Sequence, residues 1–212
     1  MCSVKKAVKE MRVVMKSPKW SRLLALCGIM SAVGLSFGAG PARAVPGVLQ
    51  DVYVNDNPTI DAARRGDADK MNTQLVSGVS PDEVGSDGVP VLIVAVENGH
   101  AEIVRMLLDK GADVDRRAPD GRTSLTSVAL SGRADIAWML LEKGADPDRV
   151  GAERDVPLLI AIRAHNTAVV EALLKHDADP NETDVTGRSA LEIAQERHYT
   201  DIVDLLAASG AQ

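Results

Sequence analysis

The sequence predicts an all-α solenoid of stacked helix-turn-helix units joined by β-turn or hairpin loops, and three observations support this fold. Four similar stretches, at 99–115, 132–148, 165–181 and 198–211, recur every 33 residues. Aromatic residues make up 2% of the 212 residues, so the core must consist of Leu, Ile, Val, Ala and Met. Apolar residues within each stretch follow helical spacing. A fixed period of this length is typical of repeat proteins, in which each unit packs against the next.

The register of the period assigns equivalent positions along the chain. One position is filled by Leu92, Leu125, Leu158 and Leu191, and another by Ala112, Ala145, Ala178 and Ala211. A fainter copy precedes these four, with Ala62, Gly66, Leu75 and Gly78 in the same phase. The register therefore gives five repeats, with approximate bounds 59–88, 89–121, 122–154, 155–187 and 188–212.

Helix ends and stack ends follow from the same register. His165, Asp177 and His198 stand where other repeats have glycine, and these residue types tolerate a left-handed backbone. Both terminal repeats are rich in polar side chains, which indicates caps at the two ends of the stack. The cap residues include Lys70 and Gln74 in the first repeat, and Glu192 and Gln195 in the last.

The opening of each repeat carries a family resemblance. The sequences P-V-L-I-V-A (90–95), T-S-L-T-S-V (123–128), V-P-L-L-I-A (156–161) and S-A-L-E-I-A (189–194) resemble the T-P-L-H-x-A opening of the ankyrin repeat. The resemblance covers residues 59–212 and implies a β-turn followed by two antiparallel helices in each unit. The family's His is missing from all four openings, so we expect weaker hydrogen bonding between repeats.

The first 44 residues differ from the rest and are typical of a secretory signal peptide. A basic start precedes an apolar run at 23–40, which ends at Ala42-Arg43-Ala44. This pattern predicts cleavage after Ala44 and a periplasmic or secreted protein, with residues 45–58 as a lead-in. The alternative is an inner-membrane anchor at 23–40, although its glycines and serines make it weakly hydrophobic for a span.

Charge and cysteine content narrow the function. The leader holds eight of the 24 basic residues and one of the 30 acidic ones, so the rest carries a net charge of −13. An acidic surface argues against nucleic acid and anionic membranes as partners. Both cysteines, Cys2 and Cys27, lie in the leader, and a thiol-free chain is compatible with an oxidising compartment.

No pattern in the sequence indicates catalysis, a cofactor or a metal. His165 and His198 lie one repeat apart, roughly 10 Å for packed helices, which is too far to close a zinc site without further ligands. The paired aspartates at 113, 115, 146 and 148 lack the calcium-loop pattern. Phosphate-loop and nucleophile motifs are absent as well. The sequence therefore predicts a protein that is not an enzyme; a metal or catalytic site near His165 and His198 is a minor alternative.

The family resemblance implies a concave face, built from hairpin tips and the ends of the first helices, that binds a protein partner. By register, the candidate residues are Val89, Glu97, Asn98, Arg117, Asp120, Arg122, Leu130, Ser131, Val150, Glu153, Arg163 and Arg188. We expect Val89, Leu130 and Val150 to form an apolar centre, with Arg117, Arg122 and Arg163 around it. The alternative is a solvated face with scattered apolar residues.

Trp138 is a second candidate contact, on the outward side of a second helix. There it would either stack on Arg105 or bind a partner at the convex face. Together these features predict a monomeric, exported module that binds one protein, such as an immunity protein against a toxin or a stabiliser of a periplasmic enzyme. The alternative is a secreted effector that binds host proteins.

Overall fold

A computed structural model describes residues 57–151 and 156–211. In this part of the chain it shows ten α-helices and no strand. The helices, in chain order, are α1 Pro58–Arg65, α2 Ala68–Val76, α3 Val91–Asn98, α4 Ala101–Asp109, α5 Ser124–Ser131, α6 Ala134–Glu142, α7 Pro157–Arg163, α8 Thr167–Lys175, α9 Ala190–Glu196 and α10 Thr200–Ala208. Within these bounds none of the helices is both long and apolar enough to cross a bilayer.

The ten helices form five pairs stacked in two layers. Each odd-numbered helix packs against the next odd-numbered helix, and each even-numbered helix against the next even-numbered one. We number the loops before α3, α5, α7 and α9 as the first to fourth hairpins; Val84 bridges Pro90 in the first, and Thr183 bridges Ser189 in the fourth. This architecture confirms the predicted all-α solenoid.

The first helix begins slightly earlier than the sequence suggested. The predicted lead-in extended to residue 58, but Pro58 is the first residue of α1 and Asn57 is its N-cap. The Asn57 Oδ1 accepts a hydrogen bond from the Thr59 N–H at 3.0 Å, and its Nδ2 donates to Glu83 Oε2 at 2.8 Å. Asn57 therefore joins the first pair to the following hairpin. The predicted leader and the rest of the lead-in lie outside the described residues.

Three non-glycine residues adopt the left-handed backbone that the register predicted for them. The φ angles are 58° at His165, 65° at Asp177 and 59° at His198. Each residue ends a helix at a position where another pair has glycine, for example Gly132 with φ 74°. The prediction that these residue types replace glycine at helix stops is thus confirmed.

Apolar contacts between successive pairs form one continuous core. Leu92, Leu125 and Leu158, which share a position of the period, are exposed by 2%, 1% and 0% respectively. Leu191 occupies the same position in the last pair but is only partly buried. The difference arises because the described chain places no further pair beyond α9 and α10.

Polar residues replace core residues at both ends of the stack. Lys70 stands at the position that Ile103, Ile136, Val169 and Ile202 fill with at most 1% exposure, and it pairs instead with Asp61. Gln195 stands at the position of Ala63, Val96, Ala129 and Ile162, all fully buried. Both substitutions occur where no described pair covers the position. They match the expected polar caps.

A row of carboxylates links the loops of neighbouring pairs. Asp82 Oδ1 accepts a hydrogen bond from the Asp113 N–H at 2.8 Å. One pair further on, Asp115 accepts from the Asp146 N–H at 3.3 Å, and next Asp148 accepts from the Asp179 N–H at 3.0 Å. These bonds repeat with the period of the chain. They provide hydrogen bonds between successive pairs. We had expected such bonding to be weaker, because the His of the family's opening is missing.

For two of these carboxylates, Asp115 and Asp148, the fold disfavours the ionised form. Burial raises the pKa of Asp115 and Asp148 above the ordinary value of 3.8, and the nearby Asp146 carboxylate raises both further. Their hydrogen bonds, and Arg149 beside Asp115, oppose this effect only in part. The ionised row therefore carries a cost that its protonated form does not.

Replacing both carboxylates with amides should stabilise the protein near neutral pH. In Asp115→Asn/Asp148→Asn each amide oxygen still accepts the hydrogen bond from the N–H of the next loop. The following repeat already has an amide, Asn181, at the equivalent position. Because the folded-state pKa is raised, the destabilisation grows as pH rises through it and is absent in acid. Thermal melting should show a higher Tm for the variant at pH 7 and converging values near pH 3. A variant that is less stable at pH 7 would contradict this assignment.

The interior of the stack should be more sensitive to truncation than its end. Leu125→Ala should lower the free energy of unfolding by about 2 to 5 kcal/mol, because it opens a cavity between two pairs. Leu191→Ala removes the same atoms from a partly exposed site and should cost distinctly less. Urea unfolding of both variants measures the difference. Equal losses would show that the end of the stack is packed as tightly as its interior.

Candidate protein-binding face

The hairpin loops lie beside the C-terminal ends of the odd-numbered helices, and ion pairs connect them. Arg122, after the second hairpin, pairs with Glu97 at the end of α3. Arg163, at the end of α7, contacts the Asp184 carboxylate at 3.3 Å, and Arg188 contacts Glu196 at 3.1 Å. These contacts show that the two sets of residues share one surface, which we call the concave face.

Leu130 is the apolar member of a row that is otherwise charged. The equivalent positions at the ends of the odd-numbered helices are Arg64, Glu97, Leu130, Arg163 and Glu196. The Leu130 side chain is 70% exposed, although it projects from a helix whose Leu125 is 1% exposed. An exposed leucine between charged neighbours is a candidate anchor for a partner.

The backbone beneath Leu130 is fixed by the next pair. Asn166 Nδ2 donates hydrogen bonds to the carbonyl oxygens of Ala129 at 2.7 Å and Leu130 at 3.3 Å. These carbonyls belong to the last turn of α5, where no intrahelical donor is left for them. Leu130 is thus held on a rigid turn, so little conformational freedom is lost when a partner covers it.

Equivalent residues cap the ends of other odd-numbered helices. His100 Nε2 lies 3.3 Å from the Arg64 carbonyl oxygen, and Arg133 Nη1 donates to the Gly99 carbonyl at 3.3 Å. In the last pair Tyr199 occupies this position, where its ring stacks on His165 at 3.8 Å. His165, which replaces glycine in the left-handed conformation, therefore stacks on the Tyr199 ring. The sequence period alone did not reveal this contact.

The fourth hairpin is organised around a buried carboxylate. Asp184 Oδ1 accepts from the Thr186 N–H at 2.8 Å and the Arg188 N–H at 3.1 Å, while Oδ2 accepts from Arg188 Nη2 at 2.8 Å. The hydroxyl of Thr186 and these bonds hold the pKa of Asp184 well below its ordinary range. Asp184 is the candidate-face residue that our sequence analysis missed; its signal is a carboxylate where other hairpins have Gly85, Ala118 and Gly151.

Most of the predicted cations on this face are already engaged. Arg122, which we expected beside the apolar centre, pairs with both Glu97 and Asp120. Arg163 and Arg188 share the Asp184 carboxylate. Their charges hold the face together and are compensated within the chain.

Arg117 differs from these cations. It is exposed near the tip of the second hairpin, and within residues 57–151 and 156–211 it has no hydrogen-bond or ion-pair partner. The adjacent Arg116 is turned inward instead, where its Nη1 donates to the Asp82 carbonyl at 2.8 Å. Arg117 is therefore available to a partner.

The predicted apolar centre is only partly present. Val150 is 40% exposed, but Val89 is half-buried and packs against the core, because the hairpin folds back on α3. The Asn98 amide donates to the Val94 carbonyl at 2.8 Å and the Ser131 hydroxyl to the Val128 carbonyl at 3.3 Å, so both cap their own helices. Glu153 lies outside the described residues.

Trp138 packs against the following pair. Its ring lies 5.0 Å from the His176 ring in an edge-to-face arrangement, and the Lys175 Nζ lies 5.7 Å from its centroid. The cation at this ring is thus Lys175, where the sequence suggested Arg105. Trp138 is half-buried and contributes to the interface between α6 and α8.

The histidines do not converge on a common site in the described part of the chain. His165 stacks on Tyr199 and lies 3.3 Å from Asp201 Oδ1, while Thr167 also donates to the Asp201 carboxylate. These bonds, that of Thr167 above all, lower the pKa of Asp201. No three His, Cys, Asp or Glu side chains among the described residues are arranged to hold a metal ion.

Comparison with known proteins gives one family. A family model described as ankyrin repeats (3 copies) matches residues 59–151 and 148–212, which together are most of the chain. No curated protein matches the sequence.

Proposed function

Because this chain belongs to the ankyrin-repeat family, we propose that it is a non-catalytic module, built of five repeats, that captures a protein partner on its concave face. Ankyrin repeats generally mediate protein–protein interaction. The observation that carries the proposal is Leu130, which is 70% exposed on a turn that Asn166 holds in place. An apolar side chain on a rigid support, inside a polar surface, has the composition of an interface anchor.

We further propose that the protein is exported and acts as a monomer in the periplasm or outside the cell. The basic start, the apolar run at 23–40 and the Ala42-Arg43-Ala44 exit support export. A chain without cysteine after the leader suits an oxidising compartment. The polar residues at both ends of the stack, such as Lys70 and Gln195, disfavour end-to-end association.

In that compartment we propose that the module acts as an immunity protein against a toxin or as a stabiliser of another enzyme. A secreted effector that binds host proteins is the alternative. The predicted cleavable leader favours the first role.

The exported chain should begin at Val45. Intact-mass spectrometry of the protein recovered from the periplasm or medium should give the mass of residues 45–212 without a lipid. Fractionation provides the control, because an uncleaved anchor keeps the protein in the inner membrane. Recovery of residues 23–40 in the membrane-bound form would overturn the export proposal.

Partner capture should depend on the concave face. Leu130→Glu with Arg117→Glu should abolish co-purification of the native partner, while each exposed substitution changes stability by less than about 0.5 kcal/mol. Circular dichroism melting checks that the variant stays folded, and Trp138→Ala serves as the variant on the opposite face. Capture that survives the double substitution but is lost in Trp138→Ala would move the site to the convex face.

A further inference from the structure

The charges of the concave face largely compensate one another, which limits what they can offer a partner. Arg122 is paired with Glu97, while Arg163 and Arg188 meet at Asp184. A partner charge that approached these residues would have to compete with a carboxylate or guanidinium already in contact. Such groups contribute a polar rim and little selective attraction.

One cation of the described loops is uncompensated, and it shares its position in the period with exposed apolar residues. Arg117 has no partner among the described residues, and the equivalent positions in the flanking hairpins hold Val84, 38% exposed, and Val150, 40% exposed. Leu130, at the end of α5, the helix that follows the Arg117 loop, is 70% exposed. Within the described residues, Arg117 is thus a free cation at a position where the flanking loops hold exposed valines, and apolar neighbours strengthen a charge-assisted bond by excluding water when a partner binds.

The helix that carries Leu130 has an unusual interior. The Ser124 and Ser127 hydroxyls are buried in α5 without a hydrogen-bond partner in the described chain, whereas the preceding repeat has Val91 and Val94 at these positions. Unsatisfied buried hydroxyls destabilise a fold. The helix is therefore polar where its neighbours are apolar, and apolar at Leu130 where they are charged. Local departures of this kind concentrate at functional sites.

We infer that the partner binds through a segment that places a carboxylate on Arg117 and an apolar side chain against Leu130. The guanidinium and carboxylate form two parallel N–H···O bonds, which fix the orientation of the segment. The apolar side chain covers Leu130 and helps to exclude water from that ion pair. This inference rests on the proposed binding function, but it specifies the chemistry of the ligand, which that function leaves open.

Panning a random peptide library displayed on phage against the full chain tests this ligand chemistry. We expect enriched peptides to contain Asp or Glu close to Leu, Ile, Val or Phe. Synthetic peptides of the enriched sequences should bind about 10- to 100-fold more weakly to Arg117→Glu and to Leu130→Glu, the loss expected when a charged hydrogen bond or a buried anchor is removed. Fluorescence anisotropy measures the affinities.

Two matched controls separate a specific effect from a general one. Lys110→Glu removes another exposed cation from a loop outside the concave face, and Val76→Glu alters a valine that is 71% exposed at the end of α2. Both variants should bind the peptides like the original chain. A peptide in which Lys replaces the acidic residue should recover binding to Arg117→Glu, which a merely unfolded variant would not show.

Several results would overturn the inference. These are enrichment of basic or acid-free peptides, equal binding by Arg117→Glu, or no peptide that prefers the original chain over Leu130→Glu. Acid-free peptides that compete with the native partner at this face would leave the proposed binding function standing. A different result would contradict the proposed binding site itself, namely capture of the native partner by the double variant of Arg117 and Leu130.

Discussion

Packing of apolar side chains between successive helix pairs is the interaction on which the rest of the structure depends. Two short helices cannot bury their own apolar faces, so each pair is completed by the next. Leu125 and Leu158 are almost fully buried because a pair lies on either side, while Leu191 at the end of the stack is only partly covered. Lys70 in the first described pair and Gln195 in the last replace apolar residues, because no described pair covers these positions. Stability is thus a property of the interfaces.

The same stacking produces the proposed binding surface. It brings the loops before α5 and α9 beside the end of the preceding first helix, so that Arg122 meets Glu97 and Arg163 meets Asp184 across repeats. These contacts make the concave face stiff and compensate its charges internally. A partner then finds few groups that are both fixed and unsatisfied. Leu130 on its capped turn is the clearest of them, which is why we propose it as the anchor for a partner.

The period of the sequence was sufficient to predict the helices and their stops, because burial recurs at the same positions in each repeat. Even His165 with its left-handed backbone followed from the register. Contacts made between repeats were not predictable, since they depend on side-chain directions in three dimensions. From the sequence alone, Asp82 could equally have been a solvated loop residue, and nothing indicated that Arg122 would form an ion pair with Glu97. The burial of Val89 likewise depends on how its hairpin folds back.

Equilibrium unfolding followed by two probes tests most directly whether interfaces couple the pairs. In a Trp20→Phe variant, Trp138 is the only tryptophan, and its fluorescence reports the interface between α6 and α8 through its contacts with Lys175 and His176. Far-ultraviolet circular dichroism reports all helices at once. If packing between pairs supplies the stability, both signals change at the same urea concentration. A fluorescence transition clearly separated from the loss of helix would contradict this account.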